Sequence, residues 1–223
     1  QGFAGMATLP LQDVAASIAE LDRAVNVLGL KGAELDTVVN GKNWDEPEFL
    51  PLFQAAESMG AVLFYHPQPQ DNLVVDRAPR YTIPNSIGVI VEDTLITATL
   101  IFGGILEKFP ELKVCIAHGG GAACFGMGRL DRGWQVRSEA RTNISRPPST
   151  YQQQIYYDCI TMSEAALRFL IDSAGIDRVV LGSDFCFDMS YERPVEIVTG
   201  HAGLSEDDQA LILGGNAKRL LGI

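Results

Sequence analysis

The sequence is poor in the residues from which most catalytic and metal sites are built, with three histidines and four cysteines in 223 residues. The cysteines (Cys115, Cys124, Cys159 and Cys186) show no CxxC spacing, which excludes a zinc finger. A chain this long needs no disulfide staples, so they read as reduced thiols of a cytoplasmic protein. Positive charge is also scarce: 17 Lys and Arg against 28 Asp and Glu leave a net charge of −11. No basic run offsets it, and such a field repels a phosphate backbone, so nucleic acid is not an expected partner. An anionic substrate would need a local arginine.

Several familiar motifs are missing too. No Gly-x-Ser-x-Gly elbow or phosphate-loop Gly-Lys-Ser/Thr occurs, and the glycine run at 119–121 fails as a dinucleotide loop because Cys124 stands where the last glycine belongs. The longest apolar stretch, 87–106, is broken by Glu92 and Asp93, so no membrane span is expected. The first residue is Gln1 rather than Met, with no signal core behind it, and the expectation is that something upstream is missing from this sequence.

What is present is an alternation of short apolar, β-branched runs with longer segments of helical period, the pattern of βα units around a parallel sheet. The strand candidates are 3–9, 32–39, 61–65, 113–117, 155–160 and 178–181. Helices are expected over 13–28, after an Asp45 N-cap with Pro47 in the first turn, over 91–108, and over 206–213 and 216–221. No linker or repeat divides the chain, so residues 1–223 read as one domain. Six units are two short of a (β/α)8 barrel. The choice lies between an open doubly wound sheet and a barrel lacking its first two strands.

The rare polar residues fall at strand ends. The run 61–65 leads into His66-Pro67, the run 113–117 into His118-Gly119-Gly120-Gly121, and the run 178–181 through Gly182-Ser183 into Asp184. Ligands and catalytic groups collect at the carboxyl ends of parallel strands. Each residue alone has a structural reading, a hydrogen-bonded histidine or, for Asp184, the N-cap of a following helix. Three of them after three strands of one sheet converge on a common rim. His201 lacks this context and reads as a solvated loop residue. Imidazole and carboxylate suit zinc or manganese, but a catalytic zinc takes three protein ligands and keeps one position open. If His118 moves protons, His66 and Asp184 are too few, and further ligands are expected in the missing strands.

These blocks, together with Phe109-Pro110-Glu111-Leu112-Lys113-Val114 and Gly215-Asn216-Ala217, resemble the amidohydrolase-related family, in particular its branch of aminocarboxymuconate semialdehyde decarboxylase-like enzymes. The resemblance covers essentially the whole chain. It implies a metal-dependent barrel, with His66 and Asp184 as ligands of one divalent ion (zinc, or else manganese) and His118 as acid/base. It further implies that Arg129, eleven places after His118, binds substrate carboxylate across a homodimer. The family's remaining ligands come from a His-x-His motif that this sequence lacks. Gln68, Thr82, Asn85, Ser183 and Cys186 depart from the branch's wording, so aminocarboxymuconate semialdehyde itself is not the expected substrate. The expected activity is non-oxidative decarboxylation of a small aromatic or unsaturated carboxylic acid. The alternative is a hydrolase or hydratase of the same family acting on a lactone, amide or unsaturated acid.

Overall fold

Alternation along the strands decides which side of the sheet each residue serves. In β3 (Val62–Tyr65), Leu63 and Tyr65 point one way and Val62 and Phe64 the other, and β4 (Lys113–Ile116) repeats this with Val114 and Ile116 against Cys115. The computed structural model describes residues 3–70 and 72–223. It joins these strands with β1 (Ala7–Thr8), β2 (Gly32–Leu35), β5 (Ile155–Asp158) and β6 (Val179–Val180) into one parallel sheet, in the order β1-β2-β3-β4-β5-β6. Registers such as Ala33↔Leu63, Leu63↔Val114 and Val114↔Ile155 keep the same face aligned across strands.

On that face lies the main core. It takes Leu21 from α1 (Val14–Asp22), Leu52, Phe53 and Ala56 from α2 (Leu50–Met59), and Ile96, Leu100 and Ile101 from α3 (Val89–Phe102). After the short α4 (Ile105–Lys108), α5 (Ala123–Val136) adds Cys124 and Met127. Tyr151 of α6 (Pro148–Gln152) and Leu167, Leu170 and Ile171 of α7 (Glu164–Ala174) complete it. Consecutive strand order with every long helix on one face is the wall of a barrel. A doubly wound sheet would reverse its strand order and carry helices on both faces. The opposite face is smaller: Val62, Cys115, Tyr156 and Val180 pack on Leu220 of the last helix. The chain closes with α8 (Pro194–Thr199), α9 (Glu206–Ala210) and α10 (Asn216–Leu221).

Six strands are found where six were expected, each shorter than its apolar run. Helix boundaries moved for local reasons. Asp45 is not an N-cap: Pro47 opens a single 3-10 turn, Pro47–Phe49, after Glu46. The helix expected over 91–108 begins at Val89 and breaks at Gly103-Gly104. There a Cβ on Gly104 would lie 2.5 Å from the Asn143 carbonyl oxygen and one on Gly103 would lie 2.4 Å from Asp45 Cβ. The stretch Pro84–Phe102 is long and apolar enough to cross a bilayer. In this fold its carboxylates Glu92 and Asp93 are buried against protein partners.

Candidate metal centre

Each site residue begins where a ladder ends. The His66 N–H donates to the Leu35 carbonyl at 2.9 Å, and the Ala117 N–H to the Tyr65 carbonyl at 3.0 Å, so His66 and His118 leave adjacent strands at the same rim. The chain then turns sharply at His118. Residues 118–121 all have positive φ (48°, 62°, 72° and 61°), which three glycines tolerate without strain. Glycine is also required for space: a Cβ on Gly120 would sit 2.4 Å from the Tyr157 ring, and one on Gly121 would sit 2.2 Å from the Ile90 carbonyl oxygen. The Asp158 carboxylate, at the end of β5, pins this turn by accepting from the Gly119 N–H at 3.0 Å and the Ile160 N–H at 3.0 Å. Asp184 reaches the rim from the chain after β6, with φ 59°. No helix starts there, so the N-cap reading of Asp184 fails.

The three side chains meet. His66 Nε2 lies 3.2 Å from Asp184 Oδ1, His118 Nε2 lies 3.9 Å from Asp184 Oδ2, and the two imidazole centroids are 5.0 Å apart. One donor atom from each residue falls within 4.8 Å of the others. Donors bonded at about 2.0–2.2 Å around one ion are separated by roughly 3–4 Å, so His66 Nε2 and Asp184 Oδ1 are spaced to share a divalent cation, with His118 Nε2 beside them. Asp184 borders a small gap of about 30 Å³ lined also by His66 and His118, and two larger hollows. One, of about 520 Å³, is shared with His118 and walled by Val89, Ile90, Ile160 and Phe169, with Asn85, Ser86 and Thr161 as further polar contributors. The other, of about 410 Å³, is shared with His66 and Asp158.

Two carboxylates that the sequence reading passed over complete the site. Asp93 of α3 is fully buried, its Oδ2 2.9 Å from His118 Nδ1. Burial pushes its pKa up to about 7, against the opposing hydrogen bond and charge of His118. Burial pulls His118 down, but the bond to Asp93 and the charges of Asp93, Asp158 and Asp184 outweigh it, and its pKa is raised. Burial likewise raises Asp158, opposed by the His118 charge and backbone donors. Asp158 lay inside the run 155–160 that reads as a strand, and the strand in fact ends at it. Asp93 was visible as a charge in an apolar helical run.

Arg129 stands apart: it is exposed on α5 and is not among the residues lining either hollow. His201 is a correction. It is buried at 5% exposure, with Nδ1 accepting from the Gly203 N–H at 3.0 Å, because the turn after α8 folds it under the surface.

The family model described as Amidohydrolase matches residues 1–223. The chain belongs to the amidohydrolase family. A 2-amino-3-carboxymuconate-6-semialdehyde decarboxylase of Dictyostelium discoideum is 36% identical over 222 residues, which cover 99% of this chain and 61% of that protein. A gamma-resorcylate decarboxylase of Rhizobium sp. (strain MTP-10005) is 27% identical, covering 98% of this chain and 69% of its own length. The crystal structure of 5-carboxyvanillate decarboxylase from Sphingomonas paucimobilis matches 99% of this chain and 67% of that one, with TM-score 0.89 and 28% identity. This amidohydrolase chain thus spans about 61–69% of the length of these proteins, and its six-stranded wall is part of a (β/α)8-type barrel.

Proposed function

We propose that this chain carries the catalytic rim of a metal-dependent, non-oxidative carboxy-lyase acting on a small aromatic or unsaturated carboxylic acid. The observation that carries the reading is the His66–His118–Asp184 cluster opening onto a largely apolar cavity of about 520 Å³, the size and lining of a small-molecule site. The similarity to decarboxylases of carboxylated aromatic and muconate compounds points the same way. His66 and Asp184 would hold one divalent ion, zinc by preference and manganese as the alternative. When bound, that ion supplies a positive charge that orients and polarises an oxygen of the substrate.

The remaining chemistry belongs to the chain. The apolar wall of Val89, Ile90, Ile160 and Phe169 takes the ring or chain of the acid and excludes water. Breaking the bond to the carboxyl carbon releases CO2 and leaves an electron pair on the substrate carbon. His118 Nε2 gives that carbon a proton and regains one from solvent, so one proton replaces one CO2 and no oxidant is consumed. Arg129 would fix a substrate carboxylate in a partner's site of a cytoplasmic homodimer.

The deciding experiment is product analysis on the natural full-length protein with hydroxybenzoates and related acids. Equimolar CO2 and decarboxylated product support the reading. Uptake of solvent oxygen without CO2 makes the protein a hydratase or hydrolase instead.

A further inference from the structure

We propose that Asp93 is the positioning residue for His118, committing ring atom Nδ1 to a buried bond so that Nε2 is the only imidazole nitrogen exchanging a proton with the cavity. The inference starts from α3. Three consecutive residues of that helix each bind a different part of the site. Glu92 accepts the Leu73 N–H at 2.9 Å, in the segment that follows His66. Asp93 meets His118 Nδ1 at 2.9 Å. Thr94 Oγ1 accepts the Ala122 N–H at 2.9 Å, just beyond the glycine turn. One helix therefore brackets both histidine segments, and its acidic pair sits inside an otherwise apolar run, where propensity and burial would favour neither residue.

Asp93 fits an orienting task better than a stabilising one. It is fully buried, yet Oδ1 has no hydrogen-bond partner among the described residues, so half of the carboxyl's bonding capacity is unused. A carboxyl retained for stability alone would have both oxygens satisfied. Its one strong contact goes to the histidine that borders the cavity. A neutral imidazole carries a single N–H, and the partner of one nitrogen decides which atom holds it. With the N–H donated from Nδ1 to Asp93 Oδ2, the lone pair lies at Nε2, 3.9 Å from Asp184 Oδ2 at the cavity mouth. A proton gained by His118 then lands at one defined position. Only the identity of the group that receives this proton rests on the proposed decarboxylase function.

The test is a two-bond 1H–15N correlation spectrum of the natural full-length protein with labelled histidine, recorded where the imidazoles are neutral, the His118 pattern being identified by through-space contacts between its ring and Asp93. His118 is expected as the Nδ1–H tautomer. In Asp93→Asn, the amide can donate to Nδ1, and His118 should move toward Nε2–H while His66 and His201 keep their patterns. Asp158→Asn loosens the turn but should leave the His118 tautomer unchanged. A wild-type His118 already in the Nε2–H form overturns the proposal without any variant having to fold, and so does an Asp93→Asn variant with an unchanged tautomer. In the full-length enzyme, Asp93→Asn should lower kcat by roughly 10- to 100-fold, the scale of partners that orient functional groups, with KM and metal content within about twofold. If CO2 release is never found, the functional reading fails while the tautomer result still decides the role of Asp93.

Discussion

His118 occupies a left-handed backbone position in a turn whose next three residues are all glycine, and the surroundings of Gly120 and Gly121 leave no room for a side chain. Gly121→Ala should cost about 2 kcal/mol or more, since it adds a left-handed alanine and drives a Cβ toward the Ile90 carbonyl. Chemical denaturation checks this, and a loss under 1 kcal/mol would show that the turn relaxes easily. The roles of the three rim residues separate by metal analysis in the full-length protein. His118→Ala should retain metal and lose about 100- to 10,000-fold in turnover, whereas His66→Ala and Asp184→Ala should lose both. Metal lost from the His118 variant and kept by the other two would reverse the assignment. His66, His118 and Asp184 were legible in the sequence because rare polar residues followed apolar runs directly. Asp93 was not, because its contact with His118 spans 25 positions and passes from a helix to a strand end. His201 was misread because nothing local in Thr199-Gly200-His201-Ala202-Gly203 reports burial.

Among the elements, strands were easier to place than helices. Apolar runs with β-branched residues mark a strand by themselves, while a helix end depends on what packs there, as Asp45 and Asn143 do at Gly103-Gly104. Helix α5 also contains glycines with nothing near their Cβ positions. Gly128→Ala is therefore expected to stabilise the protein by about 0.5–1 kcal/mol through backbone entropy, raising Tm by a few degrees. A fall in Tm would mean that the exposed face of α5 is covered in solution. Acid sensitivity is expected at α4, where Glu107 accepts hydrogen bonds from the Ser145 N–H, the Ser145 hydroxyl and the Tyr151 hydroxyl. Those bonds, the backbone donor first, hold its carboxyl below the usual range. A depressed folded pKa contributes stability that is present above the unfolded value and lost as pH falls through the folded one. Glu107→Gln should then show a smaller drop in Tm between pH 7 and pH 3 than wild type; an equal drop would assign the acid loss elsewhere.

For the whole molecule, net charge bears on how a substrate is held. A chain of net charge −11 needs a local cation to hold a carboxylate, and Arg129 is exposed and outside its own cavity. Mixing inactive full-length Arg129→Ala and His118→Ala subunits should restore activity if the arginine acts in trans, because one site of each mixed dimer regains an intact pair. A bidentate guanidinium–carboxylate contact is worth roughly 1.5–3 kcal/mol, so Arg129→Ala should raise the substrate Kd by about 10- to 150-fold with metal unchanged. No recovery after proven subunit exchange would remove the intersubunit role.

The consecutive strand order carries a consequence for how the molecule is made. Each strand pairs with the one synthesised just before it, so the sheet can grow vectorially, each new unit docking on a finished edge as it leaves the ribosome. The rim does not mature in that order. The turn at His118 waits for Asp158 and Tyr157 of β5, and the cluster closes only when the chain beyond β6 delivers Asp184. A nascent chain halted before residue 155 should already protect the amides of β2 and β3 from hydrogen exchange while those of residues 118–121 exchange freely.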